Sequence, residues 1–425
     1  MIGDMIYDTS LDNKICIIIG ASHAGVNLAF YLRKEGWIGE VILLESSEIA
    51  PYHRPPLSKK YFSPDAAEEI QLLKPITAYE ENNINLLLGK KVVSVNSEDR
   101  YVTLVNGTKY HYDFLVFSIG ASPIVPPIKG ITEHRRVYSL RNYEHAFNIK
   151  KAINNIKTKS VVVIGGGYIG LEVAASIRSL GKSVTILEKE THILKRVASA
   201  ETAAFFHDLH ERGGINVLTK KTVKAIEHKE TLSQVLCTDG SCYDANIIIL
   251  GVGVKVENDL PMQANLDFDD GIIVDNQMRT NNQNIFAIGD CTYHYNSYYN
   301  RDLRLESVQN AIEQAKTAAK AICNKTCSYN ILPWFWSDQF QTKLQIVGLS
   351  KGYNNIIVRK SHSDKLRMSI WYFRDDELLA VDAINDPKAY VIATKLLKER
   401  TPINKDSLSN NSKKLHMDTV TEVIR

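Results

Sequence analysis

Hydrophobic positions along this chain gather in short unbroken runs. Lys14 to Gly20 (KICIIIG), Val41 to Leu44, Tyr112 to Gly120 (YDFLVFSIG), Val161 to Ile164, Val184 to Leu187 and Ile247 to Gly253 (IIILGVG) are apolar almost throughout. Runs of this kind read as strands buried on both faces, as in a parallel sheet covered by helices. After Gly25, through Leu32, and again from Leu171 to Leu180, apolar residues return at helical spacing. Lys91 to Val105 reads as a hairpin-rich sheet, and Val217 to Leu250 as a β-meander whose closing IIILGVG mirrors FLVFSIGAS, which points to an internal duplication. Asn284 to Asp290 is a strand ending in Gly-Asp, Arg304 to Ile322 an Ala-rich helix, and from Tyr329 the runs IIVRK, RMSIWYF and ELLAVDAI alternate as in a separate α+β domain. Asn404 to Lys414 is polar and reads as a surface tail.

Two of the strand-to-helix junctions are rich in glycine. In VVVIGGGYIGLEVAASIRSLGKSVTILE the residues Gly165, Gly167 and Gly170 form GxGxxG, followed by Tyr168, Ile169 and the helix, then a second strand ending in Glu188. The first glycine makes a tight turn, the second lets backbone N–H groups approach a pyrophosphate, and the third lets helix and strand pack closely. Gly20, Ser22, His23, Ala24 and Gly25 repeat the pattern, and Glu45 closes that second strand. Ser22 replaces the middle glycine but is small, and His23 reads as a spacer beside phosphates. A carboxylate at Glu45 or Glu188 is placed to accept hydrogen bonds from an adenosine ribose. The fold predicted is α/β, with two Rossmann-like, doubly wound dinucleotide-binding domains and a C-terminal α+β domain. Two such units in one chain bring two dinucleotides together, and the usual purpose is hydride transfer between a flavin and a nicotinamide.

Composition narrows this little. Over 425 residues, 44% hydrophobic and 23% charged residues are ordinary for a globular protein, and a net charge of +3 gives no reason to expect nucleic acid. The N-terminal stretch carries three aspartates and no apolar core of a signal peptide, and no apolar run is long enough to span a bilayer. Six cysteines without a metal-ligand array fit a reducing cytoplasm. Cys237 and Cys242 flank a turn, Cys323 and Cys327 a helix end, and both pairs read as structural. The loop Pro51 to Phe62 (PYHRPPLSKKYF) is stiffened by prolines and carries Arg54, Lys59 and Lys60, either to hold phosphates and a flavin edge or as solvated charge.

Taken together, RPPLSK (Arg54 to Lys59), VVIGGGYIGLEVAA (Val162 to Ala175), GDC (Gly289 to Cys291), ESVQNAIEQA (Glu306 to Ala315) and PWFWSDQF (Pro333 to Phe340) resemble the FAD-dependent pyridine-nucleotide reductases, and among them the single-chain reductases of ferredoxins and rubredoxins. The resemblance spans nearly the whole chain. It implies a glutathione-reductase-like arrangement: an FAD domain from residues 1–121 and 255–328, an NAD domain from 122–254 and a C-terminal domain from 329–425. It further implies that FAD meets Gly20, Ser22, His23, Ala24, Gly25, Glu45, Arg54, Lys59, Val93, Arg141, Gly289, Asp290, Val308 and Trp336, with Asp290 on the ribityl chain and Val308 and Trp336 close to the ring. NAD would meet Gly165, Gly167, Tyr168, Ile169, Gly170 and Glu188. The family's ATG turn is here Ser118-Ile119-Gly120. No cysteine stands between Cys16 and Cys237, so the disulfide relay of the glutathione-reductase branch is not expected.

The chemistry this implies needs no nucleophile or metal. A nicotinamide stacked on the flavin passes a hydride once the reacting atoms are held roughly 3 to 3.5 Å apart, and the flavin hands on single electrons to a small [2Fe-2S] ferredoxin or a rubredoxin supplying an oxygenase such as a cytochrome P450. Lys59, Glu172 and Trp336 are the catalytic candidates. Two roles are open to Glu172, complementing its helix dipole at about 0.3 to 1 kcal/mol or facing the nicotinamide paired with Lys59. Glu188 favours NADH, because a carboxylate near a 2′-phosphate repels it, although Lys189 and Arg196 are near in sequence. Other readings are a diaphorase acting on a quinone or small molecule, and a redox-sensing flavoprotein of the apoptosis-inducing-factor type. Lys343, Lys351, Arg359, Lys360 and Lys365 are candidates to receive an acidic ferredoxin; oligomeric state, monomer or weak dimer, is left open.

Overall fold

The computed structural model describes residues 13–62, 70–132, 136–361 and 366–421. The N-terminal stretch weighed as a leader, and Lys365, lie outside the described residues. The chain divides into two units, one of Met1–His53, Glu69–Ser122 and Lys255–Ile331, the other of Arg54–Glu68, Pro123–Val254 and Leu332–Arg425.

In the first unit four of the predicted strands, with Ile84–Leu87 added at one edge, form a five-stranded parallel sheet, ordered Ile285–Ala287, Phe114–Phe117, Ile15–Ile19, Glu40–Leu44 and Ile84–Leu87. Its central strands are buried on both faces, which is why they lack polar alternation. Helix His23–Lys34 follows the first strand and packs along helix Val308–Ile322. The latter starts four residues later than the apolar pattern implies, because Ser307 accepts the N–H of Asn310 and sets the N-cap. Arg304, just before it, is committed to Asp270 and Glu306. Val92–Asn96, Tyr101–Leu104 and Lys109–His111 form the expected antiparallel hairpins.

The second unit repeats the plan. Its parallel sheet runs Asn216–Leu218, Ser183–Leu187, Ser160–Ile164, Ile247–Leu250 and Val137–Ser139. The stretch read as one meander therefore splits: Val223–His228, Ser233–Cys237 and Cys242–Ala245 form an antiparallel sheet, while its two ends, Asn216–Leu218 and Ile247–Leu250, join the parallel one. All six cysteines are free, with Cys237 buried and Cys242 exposed beside the turn. The C-terminal part of this unit is a five-stranded antiparallel sheet, ordered Trp334–Gln339, Thr342–Gly348, Glu377–Ile384, Met368–Arg374 and Asn355–Lys360, covered by helix Pro387–Glu399. The expected polar tail is in fact docked. Leu408, on a short helix Lys405–Ser409, is fully buried, and the Arg359 guanidinium donates to the carbonyls of Leu408, Asn410 and Lys413. Arg359 is thus an inward-facing clamp and not part of a basic docking face; Lys343, Lys351 and Lys360 are exposed. Among the described residues no helix is long and apolar enough to cross a membrane, and no His, Cys, Asp or Glu cluster has the makings of a metal site.

Candidate functional site

The first unit builds a cradle at the end of strand Ile15–Ile19. Gly20 turns at φ +101°, and a Cβ there would lie 2.6 Å from the Ser118 carbonyl oxygen. A Cβ on Gly25 would lie 2.0 Å from the Gly20 oxygen, so both glycines are demanded by the backbone itself. Ser22 is the extended N-cap of helix His23–Lys34 but does not cap it with its side chain, leaving the first-turn N–H groups available to an anion. Glu45 grips the loop: one carboxylate oxygen accepts the Ala21 N–H at 2.8 Å and the other the Ser47 N–H at 2.9 Å. The Ser118 hydroxyl, in the turn that departs from ATG, lies 2.9 and 2.7 Å from the carbonyls of Ile19 and Gly20 and ties strand to loop. Gly289 donates its N–H to Gln314 at 2.7 Å, and a Cβ there would come within 3.0 Å of Ala24, so the turn bearing Asp290 seats against the start of the helix. Val308 opens the helix that carries Gln314. His23 is buried, with its ring edge-on to His53 at 5.6 Å. Val93 stands apart from these residues, exposed at a β-bulge on the antiparallel sheet.

The second unit repeats the turn glycine, the packing glycine and the carboxylate clamp of the cradle. Gly165 turns at φ +106°, and a Cβ on Gly170 would lie 2.4 Å from the Gly165 oxygen. Glu188 accepts the Gly166 N–H at 2.6 Å and the Glu190 N–H at 2.8 Å. Gly167 is different in kind. A Cβ there would meet only the Gly251 oxygen at 3.8 Å, an ordinary contact, so packing does not require glycine. A bare backbone at that point is what an approaching pyrophosphate needs, and the uncapped helix Tyr168–Ser179 begins there. Ile169 is exposed, while the Tyr168 ring packs on Phe335 at 5.0 Å and its hydroxyl is buried without a hydrogen bond among the described residues. Burial, then the nearby acids Asp382 and Glu172 and the Tyr372 hydroxyl, hold that phenol well above its ordinary range.

Glu172, on the same helix, is almost completely buried and serves no surface dipole. Its carboxylate takes the Lys59 ammonium at 3.1 Å, the Ser58 hydroxyl at 2.5 Å and the Ser337 hydroxyl at 2.6 Å. A buried carboxylate needs this company, each such charge-assisted bond contributing about 1.5 to 3 kcal/mol. Lys59 also lies 5.9 Å from the Trp336 ring. Arg54 donates to the Arg141 carbonyl at 3.2 Å. Arg54, Lys59, Arg141 and Trp336, all expected from the resemblance to attend FAD, thus gather in the second unit with Glu172, and Gly20, Ser22, His23, Ala24, Gly25, Glu45, Gly289 and Asp290 in the first. The partners Ser58 and Ser337 escaped the sequence reading, although RPPLSK and PWFWSDQF contain them; a serine set in a proline- or tryptophan-rich run was the available signal.

Two cradles with uncapped helix starts, each closed by its own carboxylate, define a protein for two dinucleotides, and comparison with known proteins agrees. The model of the pyridine nucleotide-disulphide oxidoreductases matches residues 14–315, and that of the reductase C-terminal domain residues 334–417. The chain belongs to the pyridine nucleotide-disulphide oxidoreductase family, and is an oxidoreductase that uses FAD and NAD(H). It is 36% identical to putidaredoxin reductase of Pseudomonas putida over 94% of this chain and 95% of that protein. It is 34% identical to rubredoxin-NAD(+) reductase of Pseudomonas putida over 88% of this chain and 96% of that one. Among solved structures, the reductase in a covalent putidaredoxin reductase–putidaredoxin complex superimposes with a TM-score of 0.89 at 36% identity, covering 94% and 97% of the two chains.

Proposed function

We propose that this chain is an NADH-dependent ferredoxin reductase, cytoplasmic, which reduces a small iron–sulfur ferredoxin or a rubredoxin that supplies an oxygenase. The observation that carries the reading is the repeated cradle: the same turn glycine, the same packing glycine and the same carboxylate clamp occur at Gly20, Gly25 and Glu45 and at Gly165, Gly170 and Glu188. The first unit takes FAD, with Asp290 directed to the ribityl chain; residues 122–254 take NADH, and the domain from 329 onward completes the chain. FAD, when bound, accepts a hydride from a nicotinamide and releases electrons singly, which matches a two-electron donor to a one-electron acceptor.

The residues' own tasks follow from their geometry. The helix starts at His23 and Tyr168 offer N–H groups to the two pyrophosphates. Glu188, its carboxylate already aimed by Gly166, accepts from the ribose hydroxyls of NADH and repels a 2′-phosphate. Glu172 fixes the Lys59 ammonium, and Trp336 walls it on one side, so that the charge is held in one orientation. Cys16 and Cys291 are fully buried, and burial pushes the Cys291 thiol up to about 12, which makes neither a ready nucleophile.

The test uses the yellow holoprotein. NADH should bleach the flavin band rapidly, with kcat/KM higher for NADH than NADPH, and cytochrome c should be reduced only when a [2Fe-2S] ferredoxin is added. Equal rates without ferredoxin would move the assignment to a small-molecule diaphorase. Slow reduction ending in a long-lived charge-transfer species would move it to a redox-sensing flavoprotein.

A further inference from the structure

From Glu172 Oε1, the same oxygen that the Lys59 ammonium reaches, runs a line of buried polar groups that the proposed chemistry leaves unused. Ser337 donates to Glu172 at 2.6 Å, the Gln339 amide donates to the Ser337 oxygen at 3.2 Å, and the Gln339 carbonyl faces His210 Nε2 at 2.8 Å. Ser337, Gln339 and His210 are all fully buried. Three such groups are expensive to bury unless fully satisfied, and a run of apolar side chains would fill the space more cheaply.

The proton count fixes the direction of every bond. A carboxylate only accepts, so the single Ser337 proton goes to Glu172. The Ser337 oxygen must then accept, which turns the Gln339 NH2 toward it and the Gln339 carbonyl toward His210. The imidazole must answer with N–H at Nε2. Its Nδ1 makes no hydrogen bond among the described residues, and burial pulls its pKa down to about 4, so the ring is neutral. Phe340 packs edge-on against it at 5.3 Å and holds its plane. The strand Trp334–Gln339 thus reaches the ion pair twice, with Trp336 near Lys59 and Ser337 on Glu172.

We propose that His210, Gln339 and Ser337 form a one-way hydrogen-bond relay that positions Glu172 and, through it, the Lys59 ammonium for the hydride step. These are positioning residues, and the proposal rests on the reading that the Lys59–Glu172 pair serves that step. Tyr168, on the helix of Glu172, feels the charge of Glu172 together with Asp382 and the Tyr372 hydroxyl of the C-terminal sheet.

Ser337→Ala, Ser337→Thr and Gln339→Met in the full-length holoprotein test it. With Ser337→Ala, stopped-flow reduction of the flavin by NADH should slow about tenfold while NADH affinity changes less than about twofold. Ser337→Thr should restore most of the rate, and Gln339→Met should slow the reduction by a smaller amount. Independently of turnover, ¹⁵N-histidine spectra should show His210 as the Nε2–H tautomer, and as a mixture in Ser337→Ala, where Gln339 is free to turn over. An unchanged rate in Ser337→Ala overturns the proposal, as does an unaltered His210 tautomer. If Ser337→Ala does not fold, Gln339→Met decides on the same readings. If the unaltered protein is not reduced by NADH, the functional reading fails, while the His210 response to Ser337→Ala still supports or overturns the relay.

Discussion

Two βαβ units in this chain are the same object built twice, and the places where they differ are informative. Gly20 and Gly165 share a left-handed turn, Gly25 and Gly170 share a contact too close for a Cβ, and Glu45 and Glu188 share a grip on the loop N–H at the end of the neighbouring strand. The differences fall at Ser22 against Gly167, His23 against Tyr168, and Asn27 against Glu172. Asn27 spends its amide on its own helix, donating to the His23 carbonyl at 2.7 Å, whereas Glu172 reaches outward to Ser58, Lys59 and Ser337. What the backbone dictates is therefore kept in both copies, and what varies are side chains the frame does not need. That pattern is expected of a duplicated scaffold whose copies serve different ligands.

The largest effects should come from breaking the shared part. Gly25→Ala and Gly170→Ala each drive a methyl group to within 2.0 and 2.4 Å of a backbone oxygen that cannot move without opening the strand-to-helix turn. Each should destabilise its unit by about 3 kcal/mol or more. Loss of bound flavin is expected for Gly25→Ala, and a lowered melting temperature for both. A Gly25→Ala chain that purifies fully yellow with an unchanged melting temperature would remove the packing argument for this glycine.

Why was the cradle legible in the sequence when the ion pair's surroundings were not? Glycine spacing, apolar strands and terminal acids lie within thirty or so residues of one another and follow from local geometry. Glu45 and Glu188 directly follow their strands, but their hold on Ala21 and Gly166 depends on how far the second strand carries them, which no pattern encodes. Ser58, Glu172, His210, Ser337 and Gln339 come from four separate stretches, and only the folded chain brings them together. The docked tail was missed for another reason: a short polar helix with one buried leucine, Leu408, has too little apolar surface to register as periodicity. Arg359 likewise looked like surface charge because its partners are backbone carbonyls, which are invisible in composition.

Within the second unit a buried acid ties helix Ala200–Arg212 to the C-terminal sheet, and this should appear as a pH dependence. Asp382 accepts from Thr202 at 2.7 Å and from the Tyr372 hydroxyl, and burial raises its pKa from 3.8 to about 6 despite those donors. Between these values the folded chain keeps a proton that the unfolded chain has lost. Its contribution is fully present below about pH 4 and is lost as pH rises through 6. Relative to Asp382→Asn, the unaltered protein should therefore lose about 2 to 3 kcal/mol of unfolding free energy between pH 4 and pH 7. Denaturant titrations of both proteins at the two pH values check this, and a constant difference would mean that Asp382 is not the group that titrates.

The paired acids allow a sharper separation. Glu188→Gln keeps the shape but removes the charge facing a 2′-phosphate, so the NADPH to NADH ratio of kcat/KM should rise about tenfold. Glu45→Gln should leave that ratio where it was and weaken FAD retention instead, measured as flavin released on gel filtration. If both substitutions changed the nucleotide ratio alike, the division of labour between the two units would be wrong.

The smallest effect expected is also the most discriminating. Gly167→Ser transplants into the second cradle the residue that stands at Ser22 in the first. At φ −79° and ψ 174° the Gly167 backbone is one any residue adopts, and a Cβ there would touch only the Gly251 oxygen, at 3.8 Å. Stability should stay within about 0.5 kcal/mol of the unaltered protein. Whatever changes must then come from the ligand side: a hydroxymethyl group now stands where the pyrophosphate of NADH approaches the helix start, and KM for NADH should rise about threefold with kcat nearly unchanged, the mark of lost uniform binding. The first cradle tolerates its serine, which limits how large the effect can be. Unchanged KM would mean that Gly167 answers to neither packing nor the dinucleotide, and a fall in melting temperature would mean that the open space beside it is not open at all.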